Sequence, residues 1–391
     1  MTELADLLTH HVEHTPLPGA VALVATGDDV HVATAGVADL ASGTPMARDS
    51  IFRIASITKP IVAAGVLLLV EDGLITMRDP IAKWLPELAE PVVVRTPASP
   101  VDDVVPANRP ITVADLLTSC AGWGFPTDFT LPAVRALFTV QKDGRDPNNF
   151  PTPDQWLAQL ARIPLLHQPG TTWLYNTCSD LQGLLIERVT GALLGEFLAE
   201  RLFDPLAMVD TGFVVPAAHR HRLTTFYRET GHATIEPADG PDGAWATPPK
   251  FRSGAGGLAA TADDWLAFGR FLLSGGRAAD GRQLLSAESV RLMTTDRLTA
   301  AQLAGTGLAG EGQSWGYGGA VDRAADGVST RPWAVPGRYG WVGGTGTAAH
   351  VIPATGTVAV LLTQLAMASP TFTPLQQEFW ASANDIVHDS R

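Results

Sequence analysis

The sequence predicts an α+β fold, one antiparallel sheet flanked by helices with a helical lobe inserted in the middle of the chain. Strand-like runs fall near both ends, at 19–24 and 30–34 and again at 315–321, 347–352 and 357–363. Helical spacing of apolar residues dominates between them. At 391 residues and 46% hydrophobic content, the chain can also bury a large core, as one big domain or two intimately joined lobes. The expected division is a sheet lobe at about 1–74 and 211–391 and a helical lobe at about 75–210.

An amphipathic helix over 3–14 opens the chain. The Gly27-Asp28-Asp29 turn joins the first two strands. The run Ile61 to Val70 is three turns of Ile, Val, Leu and Ala, stopped by Gly73. A short helix follows from Asp79 to about Leu85, and 89–110, with five prolines and little periodicity, reads as a surface loop. Thr112 is the expected N-cap of the next helix, which ends at the Ala121-Gly122-Trp123-Gly124 turn. Helices are expected over 133–141, 153–162, 181–189 and 194–202. Residues 236–257, rich in Gly and Pro, read as loops, followed by helices over 262–273, 287–293 and 373–388. The strand at 357–363 has the unbroken apolar character of a central strand.

Chemistry concentrates in three segments. In the first, Phe52 to Pro60, Pro60 is tolerated only in the first turn of the apolar helix, so Ser56 sits at its N-terminus, where unpaired N–H groups favour negative charge. Lys59 lies one turn on, on the same face. A hydroxyl and an ammonium meeting there is a way to activate a nucleophile. The bland alternative is that Ser56 merely caps the helix. With 15 serines and 4 lysines, Ser-x-x-Lys arises by chance in roughly one such chain in six or seven. The spacing gains weight from the buried helix behind it and from two matching segments downstream.

In the second segment, Pro169 to Thr177, a Pro-Gly turn delivers Tyr175 ahead of another helix. A phenol beside an ammonium can act as general base, although a lone tyrosine is more often half-buried with its hydroxyl on backbone. In the third, Tyr339 to Thr347, glycines let backbone approach a ligand and a strand edge offers N–H donors.

In this order the segments resemble the serine β-lactamase and penicillin-recognising superfamily, nearest to its class C-like carboxylesterases (family VIII-type), which carry Ser-x-x-Lys, Tyr-x-Asn and Lys/His-Thr-Gly. The resemblance extends to 111–122, to Arg201 to Met208 and to Ser253 to Thr261, and covers roughly 10–385. It implies Ser56, Lys59 and Tyr175 as catalytic residues, with the oxyanion held by the N–H groups of Ser56 and Gly344. Trp341, Gly343, Thr177, Asn176 and Trp123 are the implied substrate-binding residues. Two departures matter. Thr177 stands where the family has Asn, and Trp341 where it has the basic residue that receives a substrate carboxylate. An indole there favours an uncharged, apolar acyl or alcohol group, so the expected activity is ester hydrolysis through an acyl-enzyme, without metal or organic cofactor. Arg338 is an alternative source of charge. β-Lactamase, D-amino-peptidase, amidase or acyltransferase activity on the same machinery, and a catalytically silent binding protein, are the competing readings.

Net charge of −13 argues against nucleic acid or anionic membrane as partner, and the resemblance implies a small-molecule ester. No basic n-region precedes an apolar stretch at the N-terminus, and Cys120 and Cys178 are the only cysteines, so a reducing cytoplasm is expected. Gly312-Gln313-Ser314-Trp315-Gly316 fits the nucleophile-elbow pattern but lacks the strand before and helix after that the elbow needs. His219 and His221 have no completing ligand spacing and read as surface residues.

Overall fold

A computed structural model describes residues 3–142, 144–231, 234–310, 312–323, 331 and 333–389. Helix α1 (Glu3–His14) precedes strands β1 (Gly19–Thr26), β2 (Asp29–Asp39), β3 (Thr44–Pro45) and β4 (Phe52–Arg53), and a 3-10 turn at Ala55–Ile57 leads into α2 (Thr58–Glu71). The middle of the chain holds the hairpin β5 (Val92–Val94) and β6 (Val104–Pro106), then α3 (Val113–Leu117), α4 (Pro132–Val140), α5 (Pro153–Leu160), α6 (Thr177–Thr190), α7 (Leu194–Leu198) and α8 (Asp204–Leu206). There follow β7 (Phe226–Gly231), β8 (Thr234–Asp239), β9 (Ala259–Ala260), α9 (Ala262–Leu273), α10 (Ala287–Thr294), α11 (Ala300–Leu303) and α12 (Gly307–Gly310). Strands β10 (Gln313–Trp315), β11 (Ala320–Asp322), β12 (Tyr339–Val342), β13 (Ala348–Ile352) and β14 (Thr357–Thr363) lead to α13 (Pro374–Asp389).

The main sheet has the order β10-β11-β12-β13-β14-β1-β2-β3, antiparallel throughout, so the two ends of the chain meet at the β14–β1 pair. Strand β1 is apolar at nearly every position because both its faces are covered. Ala20, Ala22 and Val24 face Leu4, Leu8, Phe379 and Trp380 of α1 and α13. The alternate residues Val21 and Leu23 join the larger core of α2, α6 and α9.

Thr112 caps α3 as expected, in a reciprocal box with Asp115. Several boundaries differ from the sequence expectation. The proline-rich stretch contains β5 and β6, because the β-branched run Val92-Val93-Val94 pairs across to Val104–Pro106. Near Asp79 to Leu85 only a 3-10 turn forms, Ile81–Lys83. The expected strand over 315–321 is instead a hairpin, β10 and β11, broken at Gly316–Gly319. Helix α6 starts at Thr177, ahead of the expected 181, and β8 takes the first residues of the expected 236–257 loop.

Candidate active site

The approach to Ser56 is held from two sides. Strand β4 pairs with β9, and Ile54 N–H continues the ladder to the Leu258 carbonyl at 3.0 Å. From the turn between β12 and β13, Thr345 and Thr347 donate their hydroxyls to the carbonyls of Arg53 (2.7 Å) and Ile54 (2.9 Å). Gly343 makes this contact possible: a Cβ there would lie 2.6 Å from the Ile54 carbonyl oxygen and 2.1 Å from Thr347 Oγ1. Ala55 is forced to φ 46°, a region costly for a side chain and tolerated where surrounding structure over-determines it.

Ser56 therefore enters in the 3-10 turn, one step before α2. Its side chain caps neither helical segment, which removes the bland reading of Ser56 as an N-cap. Helix α2 is buried from Thr58 to Leu69, so Lys59 projects its ammonium inside the protein rather than into solvent. A buried ammonium needs acceptors. Lys59 Nζ finds two, donating to Ser56 Oγ at 3.0 Å and to the Ala255 carbonyl at 2.5 Å, and it lies 4.7 Å from the centre of the Tyr175 ring.

Tyr175 is presented by a strained turn. Its backbone pairs with Phe125 in both directions (2.9 and 3.2 Å). Asn176 then adopts φ 84° and ψ −66°, a γ-turn in which Thr177 N–H returns to the Tyr175 carbonyl at 3.3 Å. This reversal starts α6 directly after Tyr175. Across the site, β12 supplies Trp341, whose Nε1 donates to Tyr175 Oη at 2.6 Å.

These groups border a cavity of about 490 Å³ whose lining includes Ser56, Tyr175, Asn176, Trp341 and Gly344. Lys59 reaches it through its bond to Ser56. Three expected substrate-facing residues do not line it. Trp123 is core, its indole N–H bonded to the Ile163 carbonyl (2.8 Å); Thr177 is fully buried in the first turn of α6; Gly343 is packed against residues 54 and 347.

Arg338, the alternative charge, is buried elsewhere, paired with Asp322 at 2.9 Å between the rings of Trp333 and Trp380. Arg338 stands one residue before β12, an odd number of residues from Trp341, so alternation carried back from the strand sends the two side chains to opposite sides. Ser314 is buried in β10 and donates to Asp296, with no helix following it. His219 pairs with Asp210 at 3.1 Å.

Sequence reasoning missed Asp180, Gln141, Lys142 and Arg145. Asp180, buried in α6, accepts from Ser253 Oγ (2.6 Å), Gln141 Nε2 (2.6 Å) and Ala255 N–H (3.1 Å). Burial pushes its carboxyl pKa up, against these hydrogen bonds and the nearby Lys59 charge. It fixes the Ser253–Ala255 strip whose carbonyl receives Lys59. Gly254 allows that strip to lie on α6, because a Cβ there would meet the Ser179 carbonyl oxygen at 2.3 Å. In sequence Asp180 shows only as an aspartate in the first turn of a helix, where acidic residues are common. Gln141, Lys142 and Arg145 line the cavity from the segment after α4, and Arg145 Nη1 donates to the Gly344 carbonyl at 3.3 Å.

A buried helix start carrying Ser56 and Lys59 beside an antiparallel sheet, with Tyr175 and a strand edge closing the cavity, is an arrangement of the β-lactamase and penicillin-binding-protein fold. The chain belongs to the Beta-lactamase family, whose model matches residues 4–373. It is 38% identical to Protein Rv1367c of Mycobacterium tuberculosis over 89% of this chain and 86% of that protein. It is 31% identical to Esterase EstB of Burkholderia gladioli over 93% of this chain and 91% of that one. Among solved structures it is similar to EstCE1, a hydrolase with promiscuous acyltransferase activity, with a TM-score of 0.79 and 23% identity over 96% of this chain and 97% of that chain. Among the described residues no helix is long and apolar enough to cross a membrane.

Proposed function

We propose that the protein is a serine carboxylesterase that forms an acyl-enzyme on Ser56. The observation that carries this reading is the hydrogen bond from the buried Lys59 ammonium to Ser56 Oγ at the wall of the cavity. The 31% identity to Esterase EstB favours an ester as the scissile bond.

In this mechanism Tyr175 acts as the phenolate, and Ser56 Oγ attacks the ester carbonyl carbon as its proton passes to Tyr175 Oη, leaving the neutral phenol. Tyr175 is suited to that role by two neighbours, the Trp341 N–H on its oxygen and the Lys59 ammonium at its ring. The carbonyl oxygen becomes an anion between the N–H groups of Ser56 and Gly344. Among the described residues the Gly344 N–H has no acceptor, and a first-turn N–H such as that of Ser56 lacks an intrahelical one. Each such donor is worth about 2.7–4 kcal/mol in comparable sites. Collapse breaks the bond to the alcohol oxygen, which takes the proton from Tyr175. Water then attacks the acyl-enzyme, Tyr175 accepting its proton and returning it to Ser56, and the carboxylic acid leaves. The aromatic wall of Phe125, Phe138 and Trp341 suits an apolar group in the substrate.

The test is intact-mass spectrometry after brief exposure to an aryl phosphonate, on the native chain, Ser56→Ala and Ser314→Ala. Adduct on the native chain and the Ser314 variant, and none on the Ser56 variant, is the expected result. Adduct lost only in the Ser314 variant overturns the mechanism.

A further inference from the structure

We propose that the ester cleaved at Ser56 is that of a large apolar alcohol, which extends out of the cavity across the rings of Phe138 and Phe129. This rests on the hydrolase reading and adds the substrate class.

Three phenylalanines gather beside the catalytic tyrosine. Gly124 brings their segment against Tyr175, since a Cβ there would lie 2.6 Å from the Tyr175 carbonyl oxygen. Phe125 and Tyr175 then exchange both backbone hydrogen bonds as an antiparallel pair. Residues paired in this way send their side chains to the same face, and both line the cavity. Phe138 comes from α4, whose buried side carries Val134, Leu137 and Val140. Its ring stacks on Phe125 with centroids 4.9 Å apart, and it too lines the cavity. Phe129 stands edge-on to both, 5.6 Å from Phe138 and 6.3 Å from Phe125. One apolar surface therefore starts in the cavity wall and continues to Phe129, which does not line it.

Exposure sets this surface apart. Phe138 is 42% and Phe129 49% exposed. The chain has 14 phenylalanines, 10 tryptophans and 4 tyrosines, and every other one of them is buried or half-buried. The two exposed aromatic side chains thus stand together, at the cavity that holds Ser56. A ring left in water forgoes the stabilisation of burial, which an apolar ligand lying over it restores. Asp128, next to Phe129 in sequence, is taken up by Thr130, whose N–H and hydroxyl it accepts at 2.8 and 2.7 Å.

Which half of the ester lies there follows from the path of the proton. The neutral phenol formed in the attack gives its proton to the leaving oxygen, which must then stand within hydrogen-bond reach of Tyr175 Oη. Phe125 is the cross-strand neighbour of Tyr175. The substituent on that oxygen runs along Phe125 and on to Phe138 and Phe129, so the apolar group is the alcohol.

The probes are benzyl acetate and biphenyl-4-ylmethyl acetate, which share the acyl group and the benzylic leaving oxygen and differ by one phenyl ring. The readout is the ratio of their kcat/KM values, followed by chromatography of the released alcohol. A phenyl ring moved from water onto a partly exposed aromatic surface gives an expected ratio of about tenfold in favour of the larger ester. Phe129→Ala should lower the ratio to about threefold or less, and Phe129→Trp, which keeps an aromatic face, should retain most of it. A variant harmed only in its folding loses both esters alike and keeps the ratio. The matched acyl-side pair is benzyl phenylacetate and benzyl biphenyl-4-ylacetate, and its ratio should be the smaller one. A native ratio at or below unity, a larger gain on the acyl side, or a ratio that neither Phe129→Ala nor Phe138→Ala changes overturns the inference and leaves the hydrolase reading intact. The two native ratios decide the matter even where a variant does not fold. Binding to phosphatidylcholine vesicles that Phe129→Ala abolishes, with a native ratio at unity, would assign the rings to a lipid surface instead. Turnover of neither acetate overturns the inference, and turnover of none of the four esters with no adduct on Ser56 overturns the hydrolase reading as well.

Discussion

Trp341 gives its indole N–H to Tyr175 at 2.6 Å, which ties the third sequence segment to the second across the cavity. The residue that departs from the family pattern thus has a polar contact beside its apolar one: its edge donates to Tyr175, the proposed general base, while its ring forms part of the wall. Trp341→Phe keeps most of the apolar surface and removes only the donor. A hydrogen bond to a charged group, here the phenolate that accepts the serine proton, contributes about 1.5–3 kcal/mol, so turnover of a short-chain aryl ester should fall by about ten- to a hundred-fold. Steady-state kinetics on the folded variant checks this. Unchanged kcat would detach the indole from proton transfer and leave it a packing residue.

Helix α9 shows how an element is fixed behind the site. Thr261 caps it by accepting from Asp264 N–H at 3.2 Å, and Trp265 in its first turn reaches the carbonyl of Ile57, next to Ser56. Asp264 in turn accepts from Asp210 N–H (2.9 Å) and Thr211 Oγ1 (2.7 Å), joining the helix to the segment after α8. Burial outweighs these bonds and raises its pKa from 3.8 to about 6. Between those values the folded state holds more protons than the unfolded one, so this group makes stability fall as pH rises from about 4 to 6 and leaves it level above. The shift is about two units, which corresponds to about 3 kcal/mol. Asp264→Asn removes the titration while keeping one acceptor. Urea unfolding at pH 4.5 and pH 7 should show the variant gaining on the native protein at the higher pH. Parallel stability curves would sink the assignment.

At the scale of the molecule, the legible parts of the sequence are those whose cause is local. The central strand at 357–363 is apolar at every second position on both faces, Thr112 has its partner Asp115 three residues on, and Pro60 alone places the start of α2. The positions of Ser56 and Tyr175 were legible for the same reason, since Pro60 follows Ser56 in the helix start and the Pro169-Gly170 turn precedes Tyr175. Arg145 was not, because nothing near residue 145 records that it will lie against residue 344. Asp180 reads as one polar position in a helix until Ser253 and Gln141 fold onto it. The hairpin β5–β6 was hidden by prolines that the short strands tolerate at their ends.

That non-local assembly makes a prediction about how the whole chain comes apart. One core cluster takes in Val21 and Val360 of the sheet, Ile61 of α2, Leu116, Trp156 and Leu185 from the middle, and Phe268 of α9. Cys178 lies in this cluster, whereas Cys120 lies in a smaller one with Trp173 and Trp315. Both thiols are free, and burial pushes each pKa up to about 12. At pH 8 the thiolate, which is the reactive form, is then about one part in 10⁴ of each. The native protein should therefore resist 4,4′-dithiodipyridine, and both cysteines should react as it unfolds. A continuous core opens as one unit, so in a urea series both thiols should become reactive in a single transition that coincides with the change in tryptophan fluorescence. Thiol titration against urea, read separately for Cys120→Ala and Cys178→Ala, decides it: two separated midpoints would show that the region around Trp173 and Trp315 opens independently of the core that carries Ser56 and Lys59.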